Sequence, residues 1–107
     1  MATRSLIALK TKNKYENIYC HWDGYPDNML GKLKVYYNTL DKVKSLLADG
    51  SRATIEPDGN LYKESSTQAK DLPELKKLAI ECNAEWVYLY NNDHQSWQYF
   101  ETKDLKG

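Results

Sequence analysis

Phenylalanine is nearly missing from this chain: Phe100 stands alone against nine tyrosines and three tryptophans. Cysteine is equally sparse. Cys20 and Cys82 have no CxxC spacing, which makes a poor zinc signature. An excess of either charge is absent too, with 15 basic and 15 acidic residues. That balance argues against a general nucleic-acid binder, which needs a basic surplus. No apolar run is long enough to span a membrane. The stretch Leu6–Leu9 is cut by Lys10 too early for a signal peptide. The expectation is a cytosolic protein whose two thiols stay reduced. No glycine-rich phosphate loop, HExxH, GxSxG or paired-carboxylate pattern occurs, so an enzyme is the disfavoured class and no cofactor is expected.

What the chain does have is length for one small core and a surplus of half-polar rings. Its 107 residues read as a single domain, 1–107, whose large apolar side chains must mostly be committed inside. Tyrosine joins a broad apolar body to a polar tip, so it suits a wet core boundary or a partner surface. Charge is uneven along the chain. Residues 1–47 carry eight Lys/Arg and four acids; residues 48–107 carry seven and eleven. A folded domain with a basic and an acidic end would be a protein-binding dipole.

The order of elements follows from periodicity and punctuation. Ser5–Thr11 and Tyr15–Trp22 read as strands of an antiparallel hairpin, with Ile18, Cys20 and Trp22 on one face and Tyr19 and His21 on the other. Asp23-Gly24-Tyr25-Pro26 ends the second strand. Asp27 or Asn28 can then cap a helix with the stripe Met29, Leu33, Tyr36 and Leu40. Thr39 reads as a second cap before Leu40, Val43, Leu46 and Leu47, and Gly50 as a stop. The pattern is two short helices broken near Asn38, or one bent helix. Residues 53–56 and 61–63 around Pro57-Asp58-Gly59-Asn60 read as a small hairpin, and 64–70 as a polar loop. Asp71 and Glu74 have capping-box spacing ahead of Leu75, Leu78, Ala79 and Cys82, and Asn83 can end that helix. Trp86–Tyr90 and Trp97–Thr102 form a closing hairpin. The fold class is α+β: an antiparallel sheet built from N- and C-terminal hairpins, with two or three helices packed on one face.

Three constellations could carry chemistry. Cys20 beside His21 suggests a nucleophile and base, but neighbouring strand residues point to opposite faces, so a buried Cys next to a half-exposed His fits better. His21 and Asp23 share a side if the strand persists, which makes a possible metal pair. His94, the other histidine, sits in a predicted turn, and no metal is expected. In the closing hairpin, Trp86, Tyr88 and Tyr90 alternate with Val87 and Leu89, and Trp97 and Tyr99 alternate with Gln98 and Phe100. If Val87, Leu89 and Phe100 face the helices, five large rings make an exposed platform, suited to a protein or to stacked bases. If the rings are the core, that surface vanishes. Periodicity defines the two faces and does not assign them.

"SLIALKT" followed by "IYCHWDGYP" resembles the opening of a family of small bacteriophage and prophage proteins that begin with a short strand and "YCHWDGYP". Leu6–Thr11 and Tyr19–Pro26 carry the resemblance, Gly31 and Lys32 suit the family's helix start, and "EWVYLYNNDHQSWQY" is similar to its closing strands. Residues 27–30 depart from the usual spacing and 50–70 match nothing in it. The family has no established activity. The resemblance implies a phage origin, a host cytoplasm and an accessory role, of the kind that binds a host protein and blocks a defence system such as a CRISPR effector. The candidate binding residues are His21, Trp22, Asp23, Tyr25, Trp86, Tyr88, Trp97 and Tyr99. The alternative is a small-ligand binder, in which rings near His21 and Asp23 stack a nucleotide base while Lys10, Lys12 or Lys14 meets its phosphates.

The corner itself has two readings. In the structural one, Asp23 accepts backbone N–H groups, Gly24 adopts a backbone conformation closed to other residues, and Trp22 and Tyr25 pack the bend. In the functional one, His21, Trp22, Asp23 and Tyr25 line a shallow pocket at the sheet end.

Overall fold

A computed structural model describes residues 3–12, 14–55, 61, 62 and 64–105. Five strands and three helices follow in the order β1 (Ser5–Lys10), β2 (Tyr15–Cys20), α1 (Pro26–Tyr36), α2 (Leu40–Asp49), β3 (Thr67–Ala69), α3 (Leu72–Glu81), β4 (Trp86–Asn91) and β5 (Ser96–Glu101), with a short 3-10 helix at Thr102–Asp104. No helix among the described residues is long and apolar enough to cross a membrane.

The α+β class and both terminal hairpins are present. β1 pairs antiparallel with β2, Ser5 opposite Cys20, and β4 pairs antiparallel with β5, Trp86 opposite Glu101. The hairpins join differently from an all-antiparallel sheet. β1 and β4 run parallel, Ser5 beside Trp86, so the sheet is mixed, in the order β3-β2-β1-β4-β5. The helices are also not confined to one face. Ile7, Leu9, Ile18, Cys20, Tyr88, Tyr90 and Trp97 pack with Met29 and Leu33 of α1 and with Val43, Leu46 and Leu47 of α2. Leu6, Ala8, Val87 and Leu89, which point the other way along the same strands, pack with Leu75 and Ala79 of α3. The sheet is the middle of three layers. Its central strands are therefore buried on both faces, which explains the unbroken apolar runs "LIAL" and "VYLY".

The helices start and stop for local reasons. Thr39 caps α2 through its side chain, which accepts from the Lys42 N–H, and Gly50 ends it at φ 82°. Asp71 caps α3 by accepting from the Glu74 N–H at 3.0 Å, while Glu74 reaches back to the Lys70 N–H. Asn83 leaves that helix at φ 60°. α1 differs from expectation at both ends. Its cap position is Tyr25, without a side-chain bond, and Pro26 opens the first turn; Asp27 lies inside that turn, where its charge suits the helix dipole. At the other end Tyr37 packs on the core while Tyr36 is exposed, because the chain is already leaving helical geometry there.

The segment 64–70 contains a strand where a loop is expected. β3 pairs with β2 and is held by polar side chains: Asn17 Nδ2 donates to the Thr67 carbonyl, Thr67 Oγ1 donates to Asn17 Oδ1, and Ser66 Oγ donates to the Glu16 carboxylate at 2.7 Å. The turn of the small hairpin, 57–60, lies outside the described residues. On its flanks Arg52 bridges Leu61 antiparallel and Cys20 parallel. The sequence halves do not form two poles either, since β1 and β2 of the first lie between β3 and β4 of the second.

Candidate functional site

The "CHWDGYP" corner sits where β2 leaves the sheet. Beyond Cys20 the chain runs beside 52–53: the His21 N–H donates to the Arg52 carbonyl and the Trp22 N–H to the Ala53 carbonyl at 2.8 Å. This lays out 20–22 as extended backbone and fixes the opposite directions of neighbouring side chains. Cys20 turns inward, wholly buried, with its thiol against the carbonyls of Trp22 at 3.7 Å and Ala53 at 3.8 Å. His21 turns the other way and shares a 2.7 Å hydrogen bond between Nδ1 and the Tyr19 hydroxyl. The two form no dyad. Burial pushes the Cys20 thiol up to about 11, against a smaller pull from Arg52, so the thiol is neutral at ordinary pH. Among the described residues no three His, Cys, Asp or Glu side chains group as a metal ion would require.

The bend itself corrects the expected division of labour. Asp23, not Gly24, has the left-handed backbone, φ 55°. Its main-chain carbonyl accepts from Asn28 Nδ2 at 2.8 Å and ties the bend to α1. Gly24 is needed for space. A Cβ there would lie 2.7 Å from Ser5 Oγ, 2.7 Å from the Thr3 carbonyl oxygen and 2.8 Å from Ser5 Cβ. Its N–H donates to that same Thr3 carbonyl at 2.9 Å, and its own carbonyl accepts the Tyr88 hydroxyl at 2.6 Å. The corner is thus bolted to β1 and β4 through Gly24. Trp22 and Tyr25 do not pack it from inside: they are 45% and 41% exposed.

Two groups of aromatic side chains lie near this buried bolt. His21 meets Trp22 edge-on at 4.7 Å between centroids, with Tyr62 at 6.4 Å. Register places Trp86 at the same end of the sheet, two strands from Cys20, and Tyr99 stacks beside it at 6.1 Å. Tyr62 and Tyr99 are 38% and 47% exposed, and Trp86 is half-buried. The structure therefore keeps His21, Trp22, Asp23 and Tyr25 together at the corner, while Trp86 lies at the same end of the sheet on the face of Cys20, opposite His21, with Tyr99 beside it.

It does not make the five-ring platform. Tyr88, Tyr90 and Trp97 are core residues under α1 and α2. Burial raises the Tyr88 pKa and keeps the hydroxyl a donor. Trp97 Nε1 donates to the Tyr37 carbonyl at 2.9 Å near the far end of the sheet. Both faces of the closing hairpin are covered because helices flank the sheet on both sides, and only Tyr99, on the outer strand, keeps a largely open ring. Tyr88 and Trp97 thus leave the list of surface binding residues. The composite nucleotide pocket does not form either. Lys10, Lys12 and Lys14 lie at the β1–β2 turn, roughly 20 Å along β2 from His21.

Two residues of the site lay beyond periodicity. Tyr62 follows a tight-turn segment and carries no alternation signal. Arg52 is 1% exposed, its Nε donating to the Thr54 carbonyl at 2.7 Å and its Nη1 4.0 Å from the Asp49 carboxylate. A basic residue between Ser51 and Ala53 reads as surface, and only the pairing of 52 with β2 draws it inside. Compared with family models, curated proteins and solved structures, the chain matches none of them.

Proposed function

We propose that this chain is a phage-encoded accessory protein that binds a host protein through the aromatic end of its sheet, and that its role is to inhibit a host defence system. The observation that carries the reading is the exposure of Trp22 and Tyr25 on a rigidly fastened corner, with the exposed Tyr62 beside His21. Large rings held on a stiff frame give contact area at little entropic cost, and tryptophan and tyrosine dominate the energetic centres of protein interfaces. A corner needed only for folding has no use for two open rings next to its glycine. The resemblance of "YCHWDGYP" to phage proteins supplies the biological setting, a host cytoplasm. The Cys20 thiol is buried and neutral and makes no dyad with His21, which favours binding over catalysis.

The test is co-purification. Tagged full-length protein is passed through lysate of a bacterial host, beside Trp22→Ala and Tyr25→Ala variants of equal melting temperature. The reading requires one host component that the parent enriches and both variants lose. If no component is enriched, or if both variants retain it, the aromatic end is not the binding surface.

A further inference from the structure

Opposite the aromatic end, the sheet finishes in lysines. β1 ends at Lys10, the β1–β2 turn supplies Lys12 and Lys14, and Lys70 directly follows β3. Register brings them together: Lys10 pairs with Tyr15, and Tyr15 with Ala69. Lys10, Lys12, Lys14 and Lys70 line one open cavity of about 590 Å³, with Tyr15 in its wall and Asp71 as the one carboxylate among the described residues that line it. That carboxylate is already engaged as the α3 cap. All four lysines are exposed, and no salt bridge joins any of them to a carboxylate of a described residue. Four like charges around one hollow repel each other, and nothing in the fold of the described residues needs them there.

We infer that this basic cavity is a binding site for a small oligophosphate, a linear chain of two or three phosphates free or carried on a nucleoside. The volume lies within the range of ordinary small-molecule sites and holds such a chain with room to spare. Ammonium groups from two separate backbone segments, 10–14 and 70, can reach phosphates spaced along a chain, which a single sulfate-sized ion cannot exploit. Tyr15 offers a ring edge beside the lysines, so a nucleoside can add contact without being required. The site is independent of the aromatic end, and its presence or absence says nothing about host-protein binding there.

Isothermal titration calorimetry on the full chain with sodium tripolyphosphate, ATP and sulfate tests the assignment. Tripolyphosphate should bind one to one, at least tenfold tighter than sulfate, with affinity falling as salt rises. Lys12→Gln, Lys14→Gln and Lys70→Gln should each weaken it three- to tenfold, whereas Lys44→Gln on the exposed face of α2 should leave it unchanged. ATP binding tighter than tripolyphosphate identifies a nucleotide as the source of the phosphates; equal binding identifies the bare chain. The inference is overturned if tripolyphosphate binds no better than sulfate, if the Lys44 variant loses as much as the others, or if single-stranded DNA displaces tripolyphosphate at lower phosphate concentration, which would make the lysines a nucleic-acid surface. The substitutions are at exposed positions, so melting temperature should hold in every variant.

Discussion

Replacing Gly24 by alanine and Asp23 by glycine separates two accounts of the corner. In one, Gly24 is there for its backbone freedom. In the other, it is there because no side-chain atom fits. The structure gives the left-handed backbone to Asp23 and a crowded site to Gly24. A methyl group at 24 meets the Thr3 carbonyl at 2.7 Å, and that oxygen cannot withdraw without losing its bond from the Gly24 N–H. Ser5 Oγ can rotate away, but Ser5 Cβ, at 2.8 Å, cannot. Overpacking of this kind costs about 1–3 kcal/mol. Alanine at an allowed φ recovers at most about 1 kcal/mol through the unfolded chain. The net loss should be about 1–2 kcal/mol, more if the 2.6 Å bond from Tyr88 is disturbed. Asp23→Gly relieves a left-handed residue by about 1 kcal/mol and gives back a similar amount in unfolded-state entropy, so its effect should stay within about 0.5 kcal/mol. Urea denaturation followed by tryptophan fluorescence reads both, and each kcal/mol should appear as roughly 4–8 °C in thermal melts. Gly24→Ala as stable as the parent, or Asp23→Gly the more damaging of the two, refutes the steric account.

Other consequences are quickly checked. Trp97→Ala should cost about 3–5 kcal/mol, since it empties core space and removes the bond to the Tyr37 carbonyl, whereas Trp22→Ala should stay within about 0.5 kcal/mol; comparable losses from the two would mean the rings are assigned to the wrong sides. Tyr88→Phe should cost about 1–2 kcal/mol in the same denaturation assay by leaving the Gly24 carbonyl unsatisfied, and a neutral result would show that the bolt between β4 and the corner is slack. Cys20 makes stability depend on alkaline pH. Its thiol ionises near 9.0 when unfolded and near 11 when folded, so the folded chain keeps a proton that the unfolded chain loses. Its contribution is complete below pH 9 and is lost, by about 3 kcal/mol, as pH climbs toward 11. Melting curves from pH 8 to 11 should fall more steeply for the parent than for Cys20→Ala, and parallel curves would contradict the burial of the thiol.

Much of this fold is legible in the sequence, because most of its elements obey local rules. The caps at Thr39 and Asp71, the stops at Gly50 and Asn83 and both hairpins follow from residue type and spacing. What escapes is set by distant contacts. Nothing local reveals that β1 lies beside β4 in parallel, since that pairing closes a loop of some eighty residues. The clue was the unbroken apolar run of each strand, which fits burial on both faces better than a one-sided sheet. β3 escapes because Asn17, Thr67, Glu16 and Ser66 hold it in place of an apolar stripe. At the candidate site, the sides taken by Cys20 and His21 follow from strand alternation alone. The exposure of Trp22 and Tyr25 does not, because it depends on where the corner points after leaving the sheet. Tyr88 and Trp97 have the same composition signal as Trp86 and Tyr99, and only α1 and α2 lying over them makes them core.

The claim that the open rings exist for a host partner is tested most directly in cells. Host bacteria carrying an active CRISPR system are given the parent gene or the Trp22→Ala/Tyr25→Ala double variant, each expressed to equal level, and the plating efficiency of a targeted phage is measured. The account predicts that the parent restores plaques by at least tenfold and that the double variant, equally folded, restores none. Equal restoration by both would place the inhibitory surface elsewhere, and failure of the parent against this and other defence systems would contradict the anti-defence role itself.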